Sequence, residues 1–280
     1  MTRILITGGS SYLGQHLVPK AIEQHSCLYT FFSHDPLGLP GGTWLDVRDG
    51  KSVDQLVNEF RPEAIIHTAG SNRSEDMEQV IVQGASNIST AAMRLASRLV
   101  HISTDVIFDG KAGPYRETDV PQPVHAYGRA KVVAERKISR HGDHAIIRTS
   151  LIYGLQRMDL STRWIIDALE ANEPVTLFTD QVRNPVWVET LADACIELCQ
   201  SPFKGIINVA GGQDLTRAEL GVRLLDWWGF DRRELLSLGK SDPRWPRDCR
   251  LDLSLARSTL RTPLPGVDEV IQMPGNRKTT

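Results

Sequence analysis

The chain has 280 residues, enough to bury a substantial core, and its hydrophobic (41%) and charged (24%) fractions are those of an ordinary globular protein. Lysine and arginine number 32 against 34 aspartates and glutamates, a formal charge of −2, so no basic surplus points to nucleic acid. No apolar stretch is long enough to cross a membrane, and no leader-like segment precedes the first predicted strand, so we expect a cytoplasmic protein without a membrane partner. The four cysteines (Cys27, Cys195, Cys199, Cys249) lack metal-ligand spacing and the eight histidines are dispersed, so neither a disulfide nor a metal site is expected.

In chain order, the apolar run Arg3 to Thr7 predicts a strand, followed by Gly8-Gly9-Ser10-Ser11-Tyr12-Leu13-Gly14 and a helical pattern from Gln15 to about His25. Strand, glycine-rich turn and helix together present backbone N–H groups to a dinucleotide pyrophosphate. Gly8 can take the tight turn, and Gly14 lets the helix pack close to the sheet. Ser11 stands where a middle glycine is expected, and its hydroxyl is able to bond a phosphate oxygen. An ordinary Gly/Ser-rich turn remains the alternative at this point.

Further apolar runs at Cys27–Phe32, Trp44–Leu45, Ala64–His67, Leu99–Ser103 and His144–Arg148 alternate with helical segments at Ser52–Phe60, Asp76–Ser97 and Tyr127–Ser139. This alternation predicts an α/β fold with a doubly wound parallel sheet, whose ligand crevice opens at the carboxyl ends of the strands. Ser33 and His34 are then expected near an adenosine ribose, Asp46 and Val47 near the adenine, and Ala69 and Gly70 near the middle of the cofactor. An acidic residue ending the second strand would favour NAD(H). Its absence at Ser33-His34 favours NADP(H), with Arg3 a candidate helper and NAD(H) still open through Asp35.

Tyr127 and Lys131 in YGRAK stand four apart, on one helix face. A lysine cation there is expected to lower the phenol's pKa and make Tyr127 an acid/base near neutral pH, while the spacing alone also fits a half-buried aromatic beside a solvated cation. Ser103 and Thr104, at the end of the preceding strand, offer hydroxyls to a substrate carbonyl, with strand capping the equal alternative.

Beyond about Ser150 the alternation loosens and prolines multiply, so residues 1–150 are expected to form a cofactor domain and 151–280 a smaller substrate lobe, interleaved with the first. There, Arg183 and Arg247 are candidates to grip a diphosphate and Trp187 to stack on a base or sugar. The alternatives are a core role for Trp187 and an ion pair of Arg247 with Asp248 or Asp252. Trp227 and Trp228 read as packing, His125 as either pocket or loop, and Pro274–Thr280 as a polar tail.

The strings ILITGG, RPEAIIHTAG, STDVIFDG, GPYRETDVPQPVHAYGRAK, IIRTSLIYG and RNPVWVETLADA run nearly end to end. On these the chain resembles the extended short-chain dehydrogenase/reductase superfamily, and within it the dTDP-4-dehydrorhamnose reductase (RmlD-like, sugar nucleotide-binding) family. The resemblance implies a Rossmann-type sheet with a C-terminal substrate-binding lobe. It implies Thr104 to orient a carbonyl, Tyr127 as acid/base and Lys131 to modulate it, with Tyr127 and Lys131 both also contacting the cofactor. Gly8, Ser10, Ser11, Tyr12, Leu13 and Gly14 would line NADPH or NADH. Ser103, Asp105 and Phe108 would flank a 4-keto nucleotide sugar, and a homodimer is compatible with this type. Ser11, Ile81 (an asparagine in many relatives) and Ala134 depart from the pattern. Two other functions stay open: a nucleotide-sugar epimerase or dehydratase that retains NAD, and a non-catalytic nucleotide-binding regulatory subunit.

Overall fold

In the computed structural model, which describes residues 1–70 and 75–276, each predicted apolar run contributes to a strand. Residues 277–280 of the expected tail lie outside the described residues. The elements are, in order, β1 (Arg3–Thr7), α1 (Tyr12–Gln24), β2 (Ser26–Phe31), β3 (Gly42–Trp44), α2 (Gly50–Phe60), β4 (Ala64–His67), α3 (Met77–Leu95), β5 (Arg98–Thr104), α4 (Ala126–Ile138), β6 (His144–Thr149), β7 (Ile152–Tyr153) and α5 (Leu160–Glu170). There follow β8 (Val175–Phe178), β9 (Val182–Arg183), β10 (Val186–Trp187), α6 (Val188–Gln200), β11 (Gly205–Asn208), β12 (Leu215–Thr216), α7 (Arg217–Trp228), β13 (Leu236–Gly239), α8 (Ser254–Thr259) and α9 (Val267–Gln272).

Seven strands form one parallel sheet in the order β11-β6-β5-β4-β1-β2-β3. Alternate side chains of β1 serve opposite faces. Ile4 and Ile6 pack with Leu17 and Val18 of α1 and Leu191 and Leu198 of α6. Leu5 packs with Ile88 of α3 and Ala130 and Ile138 of α4. Both faces are covered, which is why β5 is buried along its whole length. The chain leaves β1 in one direction towards β2 and β3, and in the other towards β4, β5, β6 and β11, so the crevice of such a sheet opens between β1 and β4. The later chain is shared: α6 packs on α1 and β11 on β6, while β7/β10, β8/β13 and β9/β12 make small two-stranded pieces.

The β1–α1 turn is shaped by close backbone approach. Gly8 has φ +79°, and a Cβ on it would stand 2.7 Å from the Ala69 nitrogen. A Cβ on Gly14 would collide with the Gly8 carbonyl oxygen and with Gly9 backbone atoms. Because backbone cannot move aside as a side chain can, Gly14→Ala is expected to cost about 1–3 kcal/mol. A lowered urea midpoint at unchanged denaturant slope checks this.

Candidate active site

A cleft of about 390 Å³ lies at the crevice between β1 and β4, and it gathers Gly8, Ser10, Ser11, Ser33, His34, Asp46, Val47, Ala69 and Gly70. Ser11 is the N-cap of α1, its Oγ accepting from the Gly14 N–H at 3.0 Å, so its hydroxyl is partly spent on the helix. Leu13 is buried in the core and Gly14 lies beneath the turn, so neither lines the cleft. Asp35 is committed elsewhere, accepting from Tyr29 Oη at 2.7 Å and from the Leu37 N–H at 3.0 Å. No acid therefore enters this cleft from β2, and the acids that line it are Asp46 and Asp76. Arg3 cannot help, because its Nε donates to the Arg61 carbonyl near the amino end of β1. Arg48 does line the cleft, and sequence reading missed it. It is clamped by Asp46 and Asp76, each at 2.7 Å, and lies over the Phe32 ring at 5.4 Å. The Asp46-Val47-Arg48 spacing was the available signal.

A second cleft of about 590 Å³ is lined by Thr104, Asp105, His125, Tyr127, Ser150 and Arg183, with Tyr12 of α1. Thr104 ends β5 and caps the short turn Asp105–Ile107, its hydroxyl reaching Asp105 Oδ1 at 3.3 Å. His125 is the N-cap of α4, accepting from the Gly128 N–H, and stands between Tyr127 and Trp245 at ring distances of 6.3 and 5.3 Å. The helix carries Tyr127 and Lys131 on one side, with Lys131 Nζ 5.8 Å from the phenol ring centroid and donating to the Ile102 carbonyl at 3.0 Å. A Cβ on Gly70 would lie 3.6 Å from the same Nζ. Lys131 thus stands between a residue of the dinucleotide crevice and the tyrosine of the second cleft. Ile81 packs against Gly70.

Protonation differs from the expectation. Burial, reinforced by the Asp105 carboxylate, pushes the Tyr127 phenol well above its ordinary value, and Lys131 does not reverse this. Burial also pulls the Lys131 ammonium down to about 8, partly opposed by Glu135. The lysine is a weakened cation, and the phenol stays protonated at neutral pH. Because the folded lysine titrates below the unfolded one, the unfolded state binds more protons between about pH 8 and the ordinary lysine value of about 10.4. Lys131 therefore makes stability rise with pH in that window. Urea unfolding at pH 7.5 and 9.5 is expected to show a larger rise for wild type than for Lys131→Met.

Other predicted residues fall outside the second cleft. Ser103 turns towards the middle of α4, donating at 2.5 Å to Glu135 Oε1, which also pairs with Arg148. Phe108 is fully buried and stacked on Tyr115 at 4.0 Å. Trp187 packs into the core beneath α6, and Arg247 is exposed, with its Nε 3.6 Å from Asp180 rather than Asp248 or Asp252. Arg183 does line the cleft, its Nε 3.4 Å from Asp105. Met77, Asp159, Gln181, Arg217 and Trp245 line it as well, drawn from segments too far apart in sequence for any motif to join. Among the described residues no group of His, Cys, Asp and Glu is arranged to hold a metal ion, and no helix is long and apolar enough to cross a membrane.

A dinucleotide crevice and a tyrosine cleft meeting at one lysine characterise a nicotinamide-dependent oxidoreductase of the extended short-chain class. The chain belongs to the RmlD substrate binding domain family, whose model matches residues 1–272. It is 29% identical over 245 residues to methionine adenosyltransferase 2 subunit beta of Xenopus tropicalis, covering 80% of this chain and 71% of that one. It is also 29% identical over 239 residues to a dTDP-4-keto-6-deoxy-D-glucose reductase of Streptomyces niveus, covering 82% and 80%. Its fold matches the crystal structure of dTDP-4-dehydrorhamnose reductase from Bacillus anthracis in complex with NADP, with a TM-score of 0.80, 23% identity, and 96% and 95% of the two chains covered.

Proposed function

We propose that this protein reduces a 4-keto nucleotide sugar with NADPH, or less favourably NADH, and that its preferred substrate is dTDP-4-dehydro-6-deoxy-L-mannose. The observation that carries the reading is Lys131, within reach of Gly70 on one side and Tyr127 on the other. Gly8, Ser10, Ser11, Ala69 and Gly70 would hold the dinucleotide. The nicotinamide, when bound, supplies the hydride. Thr104 orients the keto oxygen by hydrogen bonding, and Tyr127, kept protonated by burial, gives that oxygen its proton. Residues 1–150 would supply the cofactor side and 151–280 most of the substrate side, with β11 and α6 crossing back.

Steady-state oxidation of NADPH and NADH against a panel of 4-keto nucleotide sugars tests the reading, and no turnover with any of them would sink it. A regulatory-subunit reading is favoured by the likeness to methionine adenosyltransferase 2 subunit beta. The presence of Thr104, Tyr127 and Lys131 at one site weighs for catalysis. An epimerase or dehydratase would instead copurify with oxidised NAD.

A further inference from the structure

We infer that Arg217, and not Arg183, is the cation that pairs with the diphosphate of the nucleotide-bearing substrate; the substrate class rests on the reductase reading. Arg183 is already committed within the protein. Its Nη1 donates to the Val182 and Arg247 carbonyls, each at 2.7 Å, its Nη2 donates to Pro246 at 2.9 Å, and Asp105 balances its charge. At 3% exposure it has little left to offer an incoming anion.

Arg217, the first residue of α7, is in the opposite condition. Its backbone N–H donates to the Gln181 carbonyl, but among the described residues its guanidinium meets no hydrogen-bond or ion-pair partner. Asp105 and Asp159 act on it only from beyond ion-pair distance, and Asp159 spends its carboxylate on the Ser161 and Thr162 N–H groups and the Thr162 hydroxyl. The start of α7 is itself satisfied by the Thr216–Glu219 capping box, so the open positive charge belongs to the side chain. A half-buried guanidinium without a counter-ion among the described residues is open to a two-pronged contact with phosphate oxygens.

Its position selects the ligand. Arg217 lines both the Tyr127 cleft and an adjoining recess of about 260 Å³ whose walls include Leu151, Ile165, Val175, Leu177, Phe178 and Leu224. A molecule filling both spaces has a polar reacting part at Tyr127, an anion at the doorway, and a flat, weakly polar part in the recess. A sugar joined through a diphosphate to a nucleoside has this order. A free keto sugar would leave Arg217 unpaired, so the residue also rejects sugars that lack the nucleotide.

Calorimetric binding of dTDP, UDP and thymidine to wild type, Arg217→Gln and Arg217→Lys tests this, with NADPH binding as the folding control. Wild type is expected to bind one of the two diphosphates at least about tenfold tighter than thymidine. Arg217→Gln is expected to weaken that diphosphate by roughly 10–100-fold, with thymidine and NADPH unchanged. Should Arg217→Gln fail to fold, Arg217→Lys carries the test, because losing the planar fork must weaken the diphosphate several-fold while leaving thymidine alone. The inference is overturned if wild type binds neither diphosphate better than thymidine, if the folded variants bind the diphosphate as wild type does, or if thymidine and NADPH are lost in proportion. Since dTDP binding needs no turnover, failure of every keto sugar to oxidise NADPH would strike the reductase reading alone.

Discussion

Tyr127→Phe is expected to lower turnover of NADPH with a 4-keto nucleotide sugar by roughly 10²- to 10⁴-fold, with NADPH affinity nearly unchanged. The substitution removes only the hydroxyl. The ring keeps its place on α4 between His125 and Lys131, so what is lost is the proton donor and not the shape of the cleft. Burial and the Asp105 carboxylate both favour the neutral phenol, which is the form a reductase needs before hydride transfer. Stopped-flow or steady-state NADPH oxidation, paired with a direct NADPH titration, separates the two effects. A variant of full activity would mean that another group delivers the proton.

The largest expected loss of stability lies behind the site. Arg148 on β6 and Glu135 on α4 form a buried pair, with side chains 2% and 6% exposed and Nη2 to Oε2 at 2.9 Å. Ser103 donates to the same carboxylate, and Arg148 Nη1 donates to the Glu117 carbonyl at 3.0 Å. Arg148→Leu strands a buried carboxylate and is expected to cost about 3–5 kcal/mol. Replacing both partners with leucine removes the stranded charge and is expected to fall much closer to wild type, because a buried pair roughly balances its own desolvation. Chemical denaturation of the single and double variants checks this. Equal losses in both would mean that packing, and not the unpaired charge, dominates.

Much of the fold was legible in the sequence because its strongest signals are local. RILIT followed by a glycine turn, and the alternation of apolar runs with helical segments, specify a parallel sheet and its crevice without tertiary information. The Tyr127/Lys131 spacing is likewise local, and a helix delivers it directly. What escaped depends on which way a side chain points or on what meets it from afar. Ser103 and Thr104 are adjacent on β5, so only one can face the cleft, and the sequence does not say which. Phe108 and Trp187 have the chemistry of ligand-stacking groups, yet they pack against Tyr115 and the core under α6. Arg183 has a grip suited to phosphate, but three carbonyls and Asp105 occupy it. The spacing around Arg217 gives no signal, because its value lies in having no partner among the described residues, which only the surroundings reveal. The phenol's acidity was misjudged for a similar reason: proximity to a lysine is visible in spacing, whereas the desolvation that outweighs it is not.

Transfer of label from cofactor to sugar tests the central claim most directly. NADPH carrying deuterium at both C4 positions of the nicotinamide would be incubated with wild-type protein and dTDP-4-dehydro-6-deoxy-L-mannose, and the product examined by NMR. The account predicts one deuterium on C4 of the sugar, one NADPH consumed per alcohol formed, and loss of both in Tyr127→Phe. Recovery of unlabelled keto sugar with NADPH intact, from protein that binds both molecules, would contradict it.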